Sequence, residues 1–139
     1  MSVPRAVDVV VGLINDSSGR WLVNCRPVGT PLAGSWEFPG GKRQPEEAAL
    51  AALKRELDEE LGIEVLDAQA VLTLVHDYPD KRVRLDVWHV RRYAGTVTAR
   101  DGQPLRWVTV AECRELDLLE ADWPIVERLP LLAAAPARG

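Results

Sequence analysis

At 139 residues the chain is long enough for one domain with its own buried core and too short for two. A hydrophobic fraction of 47% with 27% charged residues excludes a disordered chain and a membrane-embedded one. Seventeen basic residues against 21 acidic ones leave a net charge of −4, which excludes global attraction to nucleic acid polymers or anionic membranes.

The first elements are strands. Val7 to Ile14 is rich in β-branched residues and ends at the turn formers Asn15 to Gly19; Trp21-Leu22-Val23 then resumes the apolar pattern, so the first 25 residues read as a β-hairpin. Cys25 has no CxxC partner, nor has Cys113, and both read as reduced thiols of a cytoplasmic protein. No segment has the apolar length of a signal peptide or a bilayer span. Arg26 to Ser35, with two prolines and two glycines, is expected as a long surface loop before a short extended piece, Trp36-Glu37-Phe38.

Pro45 to Leu61 is the expected helix. Pro45 suits a first turn, Glu46 and Glu47 suit the positive end of the dipole, and Gly62 stops it. Leu50, Leu53, Leu57 and Leu61 recur on one narrow face, which must be the buried one. Strands are expected at Ala68–Val75, Arg82–Arg91 and Leu105–Val108, with turns at Tyr78 to Lys81 and at Asp101-Gly102. A short helix at Ala111–Leu116 and a C-terminal one at Trp123–Leu132 complete a single domain over residues 1–132, with a flexible tail at 133–139. This order implies an α/β (α+β) layer structure: a mixed sheet with helices packed on it.

The polar side of the central helix carries the chemistry. At about 100° per residue, Glu56, Glu59 and Glu60 share an arc of about 100° beside the leucine stripe. Carboxylates so placed repel one another unless a cation sits among them, and hard oxygen donors without soft ligands suit Mg²⁺ or Mn²⁺. A solvated acidic face is the alternative. The neighbouring residues decide between them: Gly41, Glu47, Arg55-Glu56-Leu57, Glu59-Glu60, Gly62 and Ile63 match the Nudix box at every specified position. Seven fixed identities coincide by chance on the order of once in 10⁸.

The resemblance to Nudix hydrolases implies a sheet sandwiched between helices and a catalytic loop–helix–loop. It implies that the Gly40 carbonyl and Glu56, Glu59 and Glu60 hold the metal, and that Glu47 and Arg55 form a supporting ion pair. Glu56 would take the proton of the attacking water. Segments outside the box are similar to the MutT branch: Cys25-Arg26-Pro27, Leu32 to Lys42, His76 to Lys81, and Asp101 to Pro104 with Trp107-Val108. By that likeness Arg26 binds phosphates, Glu37 and Phe38 line the nucleoside pocket, and Asp101 is a further metal ligand. A solvated arginine, a core phenylalanine and a plain turn aspartate are the alternatives.

Asp122 departs from the asparagine that MutT proteins reading 8-oxoguanine carry. An ionised Asp is acceptor-only and suits a base edge showing N–H groups, as in CTP and modified-dCTP pyrophosphohydrolases of the family; a helix cap is the other reading. The five tryptophans read as mostly core, with stacking on a base the other reading for Trp123 beside Asp122. His76 and His89, without ligand partners, read as polar rim positions. The expectation is a monomeric or weakly dimeric Mg²⁺-dependent (Mn²⁺ possible) nucleoside triphosphate pyrophosphohydrolase acting on 8-oxo-dGTP. A CTP pyrophosphohydrolase, or a domain that senses nucleotides without cleaving them, is the alternative.

Overall fold

A computed structural model describes residues 6–132. Strand β1 (Ala6–Ile14) is its axis: it pairs parallel with β6 (Lys81–Ala94) and antiparallel with β4 (Gly40–Lys42). With β5 (Glu64–Tyr78) on the outer edge these form the expected mixed sheet, in the order β4-β1-β6-β5. A second, antiparallel sheet contains β2 (Trp21–Cys25), β3 (Trp36–Glu37) and β7 (Leu105–Val108), in the order β3-β2-β7.

The expected β1–β2 hairpin is therefore corrected. Its turn forms, with the Asp16 carboxylate accepting from the Ser18 and Arg20 N–H groups, each at 2.9 Å. Beyond the Asn15–Trp21 bridge the strands part into different sheets. β6 takes one edge of β1 along its whole length, and β4 with the Pro39 carbonyl takes the other over Val9 to Gly12, so β2 has no free edge to continue along there.

Alternation along β1 builds two cores. Val10 and Ile14 face the helix α1 (Ala49–Leu61), whose Leu53, Leu57 and Leu61 are fully buried. Each such leucine contributes about 1.5–3 kcal/mol by leaving water. Gly12 lets the helix come close, since a Cβ there would meet Leu57 Cδ1 at 2.9 Å and Leu53 Cδ1 at 3.2 Å. Val11 and Leu13 face the other way, towards Ile125, Val126 and Leu129.

The helix starts four residues later than expected. Glu46 adopts a left-handed φ of 65°, and the Glu47 carboxylate accepts from the Gln44 N–H at 3.0 Å and from Arg55. Those bonds draw the segment into a loop, and Ala48 becomes the N-cap. The C-terminal end, Gly62 with φ 68°, is as expected. After a short α2 (Val110–Cys113), the single expected C-terminal helix is instead a 3-10 turn (Glu120–Asp122), α3 (Trp123–Val126) and α4 (Leu129–Leu132). Pro130 explains the break: it has no N–H to offer and its ring clashes with the carbonyl of Val126. The expected tail at 133–139 lies outside the described residues.

One further expectation changes. His89 is not at a rim but 3% exposed, its Nε2 2.9 Å from Asn15 Oδ1. Of the tryptophans, Trp21 is wholly buried and Trp123 is 37% exposed. Both cysteines are free, Cys113 buried and Cys25 half-buried. No helix among the described residues is long and apolar enough to cross a membrane.

Candidate active site

The site forms where β4 meets α1. Because Gly41 has no side chain, the Glu56 carboxylate occupies the space a Cβ would fill, and a Cβ on Gly40 would run into the Val10 carbonyl. Backbone and carboxylates thus approach one another as no other residue type would allow.

Arg55 organises the surrounding acids. Its Nε and Nη2 donate to the two Glu47 oxygens at 2.8 and 2.9 Å, Nη2 also to the Lys42 carbonyl at 3.1 Å, and Nη1 to Glu56 Oε1 at 2.9 Å. The two-pronged grip suits the planar guanidinium. The Arg55 hydrogen bonds pull the Glu47 carboxyl down to about 2, and the same contacts raise Arg55. Loop and helix are therefore tied together at neutral pH.

Glu60 has no such partner. Burial first, then the charges of Glu56 and Glu37 and, further, of Asp101, push its carboxyl up to about 8, and the Gly40 backbone hydrogen bond only partly offsets them. Glu59 turns outwards, its side chain 59% exposed and 3.4 Å from Arg55 Nη1. Among the described residues no three acids, histidines or cysteines converge as a ready-made metal cage. What converges is the Glu56–Glu60 pair, all oxygen, with Arg55 balancing Glu56 and nothing basic balancing Glu60. That set fits a Mg²⁺-like ion, which binds through one or two carboxylates and keeps several waters for substrate phosphates to replace.

From Glu60 a cavity of about 280 Å³ runs over the sheet. Its floor is Val9, Val83 and Leu85; Arg26, Glu37, Phe38 and Asp122 stand around it. Arg26 is not a solvated loop residue: its Nε donates to the Pro31 carbonyl at 2.7 Å and its Nη1 lies 3.3 Å from Glu37 Oε2. Burial raises the Glu37 carboxyl, with Arg26 opposing. Phe38 is both core and wall, 3% exposed, and its backbone N–H donates to Asp122 Oδ2 at 3.1 Å.

Asp122 stands at the N-cap position of α3 but its side chain caps nothing. It is 3% exposed, and burial, then the charge of Glu37, push its carboxyl up to about 8. Trp123 lies with Arg114 and Glu127 in a separate shallow groove, which corrects its expected stacking role. His76 sits 3.2 Å from Glu120 and, like His89, does not line the cavity.

Asp101 is exposed on its turn. Sequence reasoning gave no role to Gln103, 7% exposed, whose Oε1 accepts from the Asp101 N–H, nor to Tyr78 and Lys81, which line the cavity. All three lie in segments noted above for their likeness to MutT, and that was the available signal.

These shifts set a pH dependence. The Glu60 and Asp122 carboxyls, ordinarily near 4.5 and 3.8, each titrate at about 8 in the fold. Their contribution to stability is complete below pH 3.8 and is lost as pH rises through about 8. Metal-free protein is expected to melt at a lower temperature at pH 9 than at pH 6, measured in chelator. A melting temperature that rises over that interval contradicts the burial of these two groups.

A family model described as NUDIX domain matches residues 10–128. A CTP pyrophosphohydrolase of Escherichia coli is 37% identical over 134 residues, covering 96% of this chain and 98% of the relative. An 8-oxo-dGTP diphosphatase of Escherichia coli is 29% identical over 128 residues, 92% of this chain and 99% of the relative. A solved MutT structure, from a study of the Aliivibrio salmonicida and Vibrio cholerae proteins, matches with a TM-score of 0.79 at 31% identity, over 92% of this chain and 99% of that one. With the box residues gathered on one loop and helix, and with relatives matched along nearly their whole length, the chain belongs to the NUDIX domain family, among its MutT-like hydrolases.

Proposed function

We propose that this chain is a Mg²⁺-dependent nucleoside triphosphate pyrophosphohydrolase of the nucleotide-pool sanitising kind, acting on 8-oxo-dGTP or a related nucleotide in the cytoplasm as a monomer or weak dimer. The single observation that carries the reading is Glu60, buried beside the charge of Glu56 without a basic partner, at one end of a cavity walled by Phe38 and Asp122.

Glu56, Glu60, Asp101 and the Gly40 carbonyl would hold the cation, with Glu59 recruited from its outward position. Held there, Mg²⁺ (Mn²⁺ as a substitute) would supply charge neutralisation at phosphate oxygens and a more acidic water. Glu56 Oε1 is engaged by Arg55, which leaves Oε2 to accept the water's proton. The water oxygen bonds to phosphorus, the bridging P–O bond breaks, and its electron pair leaves with the departing phosphate group. Arg26 offers its remaining guanidinium donors to the phosphates.

Burial of Asp122 bears on the base. A protonated carboxyl donates through one oxygen while the other accepts from Phe38, much as an asparagine amide does. Such a carboxyl can donate to O6 of 8-oxoguanine, which an ionised, acceptor-only Asp would repel. CTP is the second reading, favoured by Asp122 itself together with the 37% identical Escherichia coli relative.

A competition assay separates them. The expected result is a higher kcat/KM for 8-oxo-dGTP, with Asp122→Asn retaining that activity and losing about tenfold on CTP, the worth of one hydrogen bond. A hundredfold preference of the wild type for CTP or 5-methyl-dCTP rejects the 8-oxo-dGTP reading.

A further inference from the structure

The loop between β6 and β7 ends on the last turn of α1. The Arg100 N–H donates to the Glu60 carbonyl at 3.0 Å and the Thr98 N–H to the Leu61 carbonyl at 2.9 Å. These satisfy carbonyls that a helix end leaves without partners, so anchoring the loop needs nothing more. Yet a third, side-chain link is present. Gln103 is 7% exposed, and burying an amide is costly unless both its ends are bonded. Its Oε1 accepts from the Asp101 N–H at 3.0 Å, and its Nε2 donates to the Glu60 carbonyl at 3.2 Å.

One amide therefore spans the backbones of two acidic residues 41 positions apart, Glu60 and Asp101. Gly102, with φ 72° and its N–H on the Ala99 carbonyl at 3.1 Å, gives the tight turn that lets Gln103 reach back past it. The Asp101 side chain has no basic partner within ion-pair distance among the described residues, so the bridge fixes its backbone while its carboxylate stays available.

We infer that Gln103 is a positioning residue, holding Asp101 at a set distance from Glu60 so that both carboxylates serve one divalent cation. The inference rests on the reading above that Asp101 and Glu60 are ligands. A group that orients a ligand without touching the metal is worth roughly 10–100-fold in affinity. If it works only through Asp101, its effect vanishes once Asp101 can no longer bind.

The test is a double-mutant cycle on the full chain, with free Mn²⁺ titrated by electron paramagnetic resonance and no nucleotide present. Asp101→Asn and Gln103→Leu are each expected to weaken Mn²⁺ binding about tenfold, and Gln103→Leu in the Asp101→Asn background to cost less than about twofold more. If Asp101→Asn leaves Mn²⁺ affinity unchanged, the ligand reading of Asp101 falls and this inference with it. If Asp101→Asn weakens binding and Gln103→Leu does not, only the role of Gln103 is overturned. Full additivity overturns it too, because a residue that merely steadies the fold would add its loss in either background. Gln103→Asn, too short to span both backbones, carries the same cycle should the leucine variant fail to fold.

Discussion

Glu60→Gln is expected to lower pyrophosphate release by about 10³-fold or more, equivalent to roughly 4 kcal/mol of transition-state stabilisation, while leaving the metal-free protein folded. The reason is the imbalance at this position. Glu60 is buried against Glu56 with no basic side chain among the groups that shift it, so in the free enzyme its charge opposes folding. The amide removes that charge along with the cation's ligand. Chelator-treated Glu60→Gln should therefore melt no lower than wild type at pH 9, where the wild-type carboxylate is ionised. Glu59→Gln serves as the contrast: its outward side chain pairs only with Arg55 in the free protein, and its loss is expected to cost less than Glu60→Gln. Equal losses in the two variants would show that Glu59 turns inwards and shares the cation fully.

Gly41→Ala is expected to cost about 100-fold in turnover, by displacing Glu56 rather than by straining the backbone. The missing Cβ of Gly41 is where the Glu56 carboxylate lies, and Glu56 Oε1 is also clamped by Arg55 at 2.9 Å. The added methyl must push one of them away, and a ligand or base moved by about 1 Å loses on the order of 10² in rate. Turnover measured alongside Mn²⁺ affinity checks this. Unchanged values for both would mean that Glu56 does not work from the position seen here.

The parts legible in the sequence were those set by local periodicity. Leu53, Leu57 and Leu61 at helical spacing marked the buried face of α1, and their spacing placed Glu56 and Glu60 beside it. The Glu47–Arg55 pair was expected from the resemblance and is present. What it does to the start of the helix was not legible, because propensity favours Pro45 and Glu46 in a first turn and only the ion pair overrules it. The β1–β2 divergence was hidden for a similar reason: a turn sequence announces a hairpin, but distant strands decide which edges remain free.

Burial by remote segments hid the rest. His89 meets Asn15 across 74 positions, and Asp122 meets the Phe38 N–H across 84. From sequence alone the aspartate reads as an ionised acceptor. Its titration near 8 follows from being walled in by chain that no local pattern associates with it. Gln103 shows no task in the sequence, since a buried amide cannot be told from a surface one by its letter.

The activity proposed for this chain is metal-dependent cleavage of a nucleoside triphosphate into monophosphate and pyrophosphate. Its most direct measurement is product analysis of purified chain incubated with 8-oxo-dGTP, CTP and the common dNTPs, with Mg²⁺ or with chelator. Stoichiometric monophosphate and pyrophosphate are expected with Mg²⁺, and none with chelator. Nucleotide binding without pyrophosphate release from any of these substrates, at any Mg²⁺ concentration, would contradict it and mark the chain as a nucleotide-sensing domain instead.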